Sequence, residues 1–111
     1  MDPITLEVMS YRLGEAVSTM EHLLFHSGYS PILRESYDGS ASILDKDGYV
    51  VVGSGAPYHL FPYSRTVRSI IERHGDAMEE GDSFIVNDPY LSGNFHVPDV
   101  AIVTPVFYEG E

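Results

Sequence analysis

Leu6, Met9, Leu13, Val17, Met20 and Leu24 recur at three- and four-residue steps along the start of the chain. That spacing places apolar side chains on one face of a helix, and a helix from Pro3 to about Phe25 is the firmest structural expectation. Gly28 and Ser30-Pro31 end it, because glycine is permissive at a helix C-terminus and a residue before proline is pushed out of the helical region.

The pattern then changes period. Ser40 to Leu44 and Tyr49 to Val52 are short β-prone runs joined by Asp45-Lys46-Asp47-Gly48, whose Asp-Gly pair supplies positive φ angles for a tight antiparallel hairpin. Gly53 to Pro57 reads as a loop. Pro62 suits the first turn of a second helix, whose apolar positions Val67, Ile70 and Ile71 lead to His74 and a stop at Gly75. A turn at Glu79-Glu80-Gly81-Asp82 precedes a third strand, Ser83 to Val86. After a polar loop, the apolar run Val100 to Phe107 reads as a fourth strand buried on both faces. Tyr108-Glu109-Gly110-Glu111 is a turn signal that would ordinarily lead into another strand. The order helix, hairpin, helix, strand, loop, strand predicts an α+β fold with a mainly antiparallel sheet. There is no internal repeat and no low-complexity tract.

With 111 residues, of which 43% are hydrophobic, the chain has apolar mass for one modest core. Seventeen acidic residues against six basic ones give a formal charge of -11. Such a surface repels nucleic acid and anionic membranes, and it suits a cation or a basic partner better than a phosphate-rich ligand. Absence of cysteine excludes disulfides and thiol catalysis here. Met1-Asp2-Pro3 carries neither a basic n-region nor an apolar h-region, and no apolar run approaches the ~20 residues of a membrane span. The expectation is a cytoplasmic protein.

The chemistry concentrates in Asn87-Asp88-Pro89-Tyr90-Leu91-Ser92-Gly93-Asn94-Phe95-His96-Val97-Pro98-Asp99, a polar loop between two apolar strands. His96 and Asp99, three apart with Pro98 stiffening the backbone, fit two ligands of a divalent ion of the zinc, manganese or iron class. A plain hydrogen bond between them fits the same spacing. Asp38, just before the hairpin, is either a carboxylate aimed at the sheet end or an Asx-turn with Gly39. His59, before the second helix, is a general base, a substrate contact or a cap-region residue. His22, His26 and His74 belong to helices and take no catalytic role. Asp88 reads as a turn residue and Tyr90 as a packing one.

Taken in order, Thr5-Leu6-Glu7-Val8, Tyr29-Ser30-Pro31 with Glu35, Asp45-x-Asp47-Gly48, and Asn87-Asp88-Pro89-Tyr90 leading to His96-x-Pro98-Asp99 resemble the hydantoinase B family. That family includes ATP-dependent hydantoinases and 5-oxoprolinases and the large subunits of acetone and acetophenone carboxylases. The resemblance implies that His96 and Asp99 are metal ligands, that Asp38 is a third, and that a further histidine ligand follows beyond the fourth strand, past Glu111. His59, in Pro57-Tyr58-His59-Leu60, matches a family histidine and is implied to be an active-site residue. ATP chemistry is implied to reside in a hydantoinase-A-type partner, and no G-x-x-x-x-G-K-[ST] occurs here. The substrate class is a cyclic amide or a ketone. Because family members are several times longer, residues 1–111 are expected to be the N-terminal part of a catalytic domain, with no turnover alone. The loop departs from the family's Asn-Asp-Pro-Tyr-x-Gly-Gly-Thr-His by one extra residue within Ser92-Gly93-Asn94-Phe95, so its geometry is open. Two other readings remain at this point, a small ligand-sensing domain and a non-catalytic docking protein.

Overall fold

The computed structural model describes residues 1–55 and 57–111. It is an α+β chain of two compact units, Met1–Phe61 and Pro62–Glu111.

The first unit begins with α1, Pro3–Ser27. Asp2 caps it, its carboxylate accepting from the Thr5 hydroxyl and, at 3.0 Å, from the Thr5 amide. Those two bonds, the hydroxyl's first, hold the Asp2 carboxyl below the usual carboxylate range. The helix ends where the Gly28 amide donates to the Leu24 carbonyl. A short helix not anticipated from sequence follows, α2, Pro31–Arg34, capped by the Ser30 hydroxyl. The Ser-Pro pair that stops one helix has the right chemistry to start another.

Strands β1 (Ser42–Leu44) and β2 (Val50–Gly53) form the expected antiparallel hairpin, each shorter than the β-prone run that contains it. Only Gly48 takes a positive φ in the connection, 80°, and the register shifts between Ile43 and Leu44. The Asp45 amide donates to the Tyr49 carbonyl and the Gly48 amide to the Asp45 carbonyl, so the turn is a three-residue loop where the sequence suggested a tighter one, and the irregularity in register lies opposite Val51 in the strands. Asp45 secures it by accepting from the amides of Asp47 and Tyr49 at 3.0 and 2.8 Å. Helix α1 packs on α2 and on both strands, with Val17 and Phe25 as its buried residues. Leu6, Met9 and Met20 of the periodic stripe stay exposed. The expected loop from Gly53 to Pro57 includes Ala56, which lies outside the described residues.

Helix α3 runs Pro57–His74 and so begins ahead of Pro62, which lies inside it. His59 consequently sits in the first turns of a helix and not before one. Either proline satisfies the first helical position, where no N–H is needed; inside the helix Pro62 costs one backbone hydrogen bond, which the chain tolerates.

A 3-10 turn, Gly75–Ala77, leads to β3 (Phe84–Val86), which pairs antiparallel with β4 (Ala101–Val103). The two hairpins make two separate two-stranded sheets. The expectation that the fourth strand is buried on both faces fails: burial alternates along β4 and Ile102 is 71% exposed. A two-stranded ribbon covers one face at most, and apolar content alone could not reveal that. The final turn closes with paired bonds between Tyr108 and Glu111, and both central residues, Glu109 and Gly110, have positive φ. Among the described residues no helix is long and apolar enough to cross a membrane.

Candidate functional site

Among the described residues, each unit holds one histidine–aspartate pair. In the first, Asp38 follows Tyr37, whose φ of 53° is a left-handed conformation that costs a bulky residue about 1 kcal/mol. Tyr37 is held there by an edge-on contact with the Phe25 ring at 5.2 Å between centroids. The backbone reversal is fixed by the Asp38 amide, which donates to the Ile32 carbonyl, and by the Gly39 amide, which donates to the Tyr37 carbonyl. The Asp38 carboxylate then faces His59, Oδ1 to Nε2 3.7 Å. The His59 side chain is only 19% exposed, and its Nδ1 is buried without a hydrogen-bond partner among the described residues. A buried ring nitrogen left without a partner costs about 1–3 kcal/mol.

The second pair stands on the loop between β3 and β4. His96 Nδ1 lies 3.6 Å from Asp99 Oδ1, and both side chains are open to solvent, 61% and 44% exposed. The main chain beneath them is tightly held. Asp88 forms the expected turn, its Oδ1 accepting from the amides of Tyr90 and Leu91. Asn87 Nδ2 donates to the Val97 carbonyl at 3.1 Å, and the Asp99 amide donates to the His96 carbonyl. Tyr90, expected to pack, is instead exposed, because Asp88 turns the chain outward at that point.

Beneath the loop lies a buried polar knot that sequence reasoning did not find. Asn94 is 8% exposed and Thr66, on α3, is 1% exposed. The Thr66 hydroxyl points its single proton between Asn94 Oδ1 at 2.9 Å and the Ser92 carbonyl at 3.0 Å. Asn94 Nδ2 donates to the carbonyls of Val86 and Asp99 at 3.2 and 3.0 Å. Gly93, at φ 80°, lets Arg65 lie across the loop; a Cβ there would collide with the Arg65 side chain. Thr66 shares the buried helix face with Ile70, a signal readable from spacing. Asn94 had none, since its partners are remote in sequence.

Both N···O separations exceed hydrogen-bond range, so neither pair is a simple hydrogen bond. Two ligands about 2.1 Å from a tetrahedral ion lie about 3.4 Å apart. The imidazole and carboxylate of each pair therefore stand at a spacing that fits two positions around one divalent cation, and the donor types suit zinc, manganese or iron. Among the described residues no group of three or more such side chains is gathered. Asp38 belongs to the first unit, and His96 and Asp99 to the second.

The family model described as hydantoinase B/oxoprolinase matches residues 2–111. The chain belongs to the hydantoinase B/oxoprolinase family. It is 30% identical over 112 residues to a 5-oxoprolinase of Dictyostelium discoideum, matching 100% of this chain and 9% of that protein. It is 35% identical over 116 residues to a putative D-/L-hydantoinase component of Pseudomonas sp. strain NS671, matching 100% of this chain and 19% of the relative. With the acetophenone carboxylase delta subunit of Aromatoleum aromaticum the identity is 35% over 75 residues, 67% of this chain and 11% of the other. The chain thus spans a fifth or less of the length of these relatives. No solved structure matches it. In this hydantoinase B/oxoprolinase chain, Gly93 and Asn94 are the loop residues that meet side chains of α3, Arg65 and Thr66.

Proposed function

We propose that this chain is the N-terminal part of the catalytic domain of a metal-dependent subunit that hydrolyses a cyclic amide, a hydantoin-like ring or a lactam, in the cytoplasm, together with a hydantoinase-A-type partner that uses ATP. The observation that carries the reading is the His96–Asp99 pair, displayed at 3.6 Å on a loop whose backbone is pinned. His96 and Asp99 would hold the divalent ion, and the resemblance of the segment around Asp38 to the family supports Asp38 as a further ligand. When bound, the ion supplies Lewis-acid polarisation of a carbonyl and makes water more acidic. The protein's own part is positional. The turn closed by the Asp99 amide keeps both donors on one side of the loop, and the 61% exposure of His96 leaves room for a substrate to approach. His59 offers Nδ1 as an unpartnered polar atom, among the described residues, for a hydrogen bond to substrate. Net acidity suits a small neutral ring better than a phosphorylated ligand free in solution, in keeping with ATP being handled by the partner.

The similarity to a carboxylase subunit supports a second reading within the same family, ATP-dependent carboxylation of a ketone. Both are tested on the assembled complex. His96→Ala and Asp99→Asn should each strip the divalent metal and lower turnover by orders of magnitude with the fold retained. Ring-amide hydrolysis independent of bicarbonate identifies the first reading, and ketone consumption requiring bicarbonate identifies the second. Unchanged metal content and turnover in both variants would refute the metal assignment.

A further inference from the structure

We propose that Asn94, locked by Thr66, is the positioning residue of the His96–Asp99 pair, an inference that rests on the metal reading above. The two side chains of the pair are exposed, so packing does not orient them; what they inherit is the placement of their backbone. Asn87 holds the Val97 carbonyl on the solvent side, and the buried side of that placement passes through the Asn94 amide group. Asn94 Nδ2 spends one hydrogen on Val86, the last residue of β3, and the other on Asp99, two residues before β4 begins. The group thus fastens the two ends of the loop to each other. Its orientation is dictated by the two carbonyls, which can only accept and so require the NH2 group, leaving the oxygen to accept from the Thr66 hydroxyl.

Thr66 anchors this clamp to α3 from 28 residues away. The Asp99 carbonyl held by Asn94 and the Asp99 amide bonded to the His96 carbonyl flank one residue, so the turn carrying both donors is fixed from each side. Every donor and acceptor of the Asn94 side chain is used, and the knot is almost wholly buried, the conditions under which a polar network specifies one geometry. Residues that orient metal ligands from behind typically govern affinity by 10–100-fold.

The test uses the purified full chain with Mn²⁺ as the probe, and compares Asn94→Ala, Thr66→Val and Thr66→Ser. Three quantities are read well below the melting temperature of each variant: Mn²⁺ affinity from electron paramagnetic resonance, hydrogen exchange of the Asp99 amide, and circular dichroism. Asn94→Ala should weaken Mn²⁺ binding by about 10–100-fold and speed Asp99 exchange at least about 10-fold, with the dichroism unchanged. Thr66→Val should move both in the same direction by less, and Thr66→Ser, which keeps the hydroxyl, should restore both. A variant that lowers only the melting temperature, leaving affinity and Asp99 exchange as they were, assigns Asn94 a merely structural role and overturns the proposal. Should Asn94→Ala fail to fold, the Thr66→Val and Thr66→Ser pair decides, and equal affinities there overturn it. If His96→Ala binds Mn²⁺ as well as the unmodified protein does, the metal reading fails. Asp99 exchange then decides the positioning role alone: faster exchange in Asn94→Ala supports it and unchanged exchange overturns it.

Discussion

The two histidine–aspartate pairs reach nearly the same separation, 3.7 and 3.6 Å, by opposite means. His59 is placed by burial: it rides on a helix, its ring is largely enclosed, and one nitrogen is left unsatisfied. His96 is placed by hydrogen bonds. Its ring is open to solvent, and order comes from Asp88, Asn87 and Asn94 acting on the main chain below it. A buried donor carries a stability cost that a substrate or ion can relieve. An exposed donor carries none, and its precision depends entirely on the loop. The two pairs should therefore respond differently to substitution, and that difference can be broken deliberately.

The largest contrast is expected at His59. Replacing it with leucine removes an unsatisfied buried nitrogen and keeps an apolar side chain in the same enclosure. His59→Leu should raise stability by about 1 kcal/mol while turnover of the complex falls by orders of magnitude. Chemical denaturation beside a steady-state assay checks this. A loss of stability instead would mean that the ring nitrogen is satisfied in solution. A stability effect of opposite sign is expected at the second pair, with a smaller consequence for turnover. Gly93→Ala places a Cβ against Arg65 at a positive φ, and should destabilise the chain by about 1–2 kcal/mol and weaken metal binding with it. An unaltered melting curve would show that Arg65 swings aside freely and that the loop is seated by Asn94 alone.

What the sequence disclosed follows the range of each interaction. Helix α1 was legible because its signal repeats over many turns, and the hairpin because Asp45 and Gly48 make their decisive bonds within four residues. The start of α3 was not, since Pro57 and Pro62 are locally equivalent helix openers and only the rest of the fold chooses between them. Burial of β4 was misjudged for a related reason: an apolar run reports what a strand can bury, while exposure of Ile85 and Ile102 depends on what lies over them. At the site, the nearness of His96 to Asp99 was visible in their three-residue spacing, while the turn that links them was not. The role of Asn94 was invisible, because it exists only once Thr66, Val86 and Asp99 have been brought together.

Everything proposed for the second pair depends on His96 and Asp99 taking a divalent metal. The most direct measurement is paramagnetic line broadening in the amide spectrum of the protein as Mn²⁺ is added at substoichiometric amounts. The signals of His96 and Asp99 should disappear first, and His96→Ala should abolish the selectivity. Broadening that spreads evenly over the acidic surface, or that survives unchanged in His96→Ala, would contradict it.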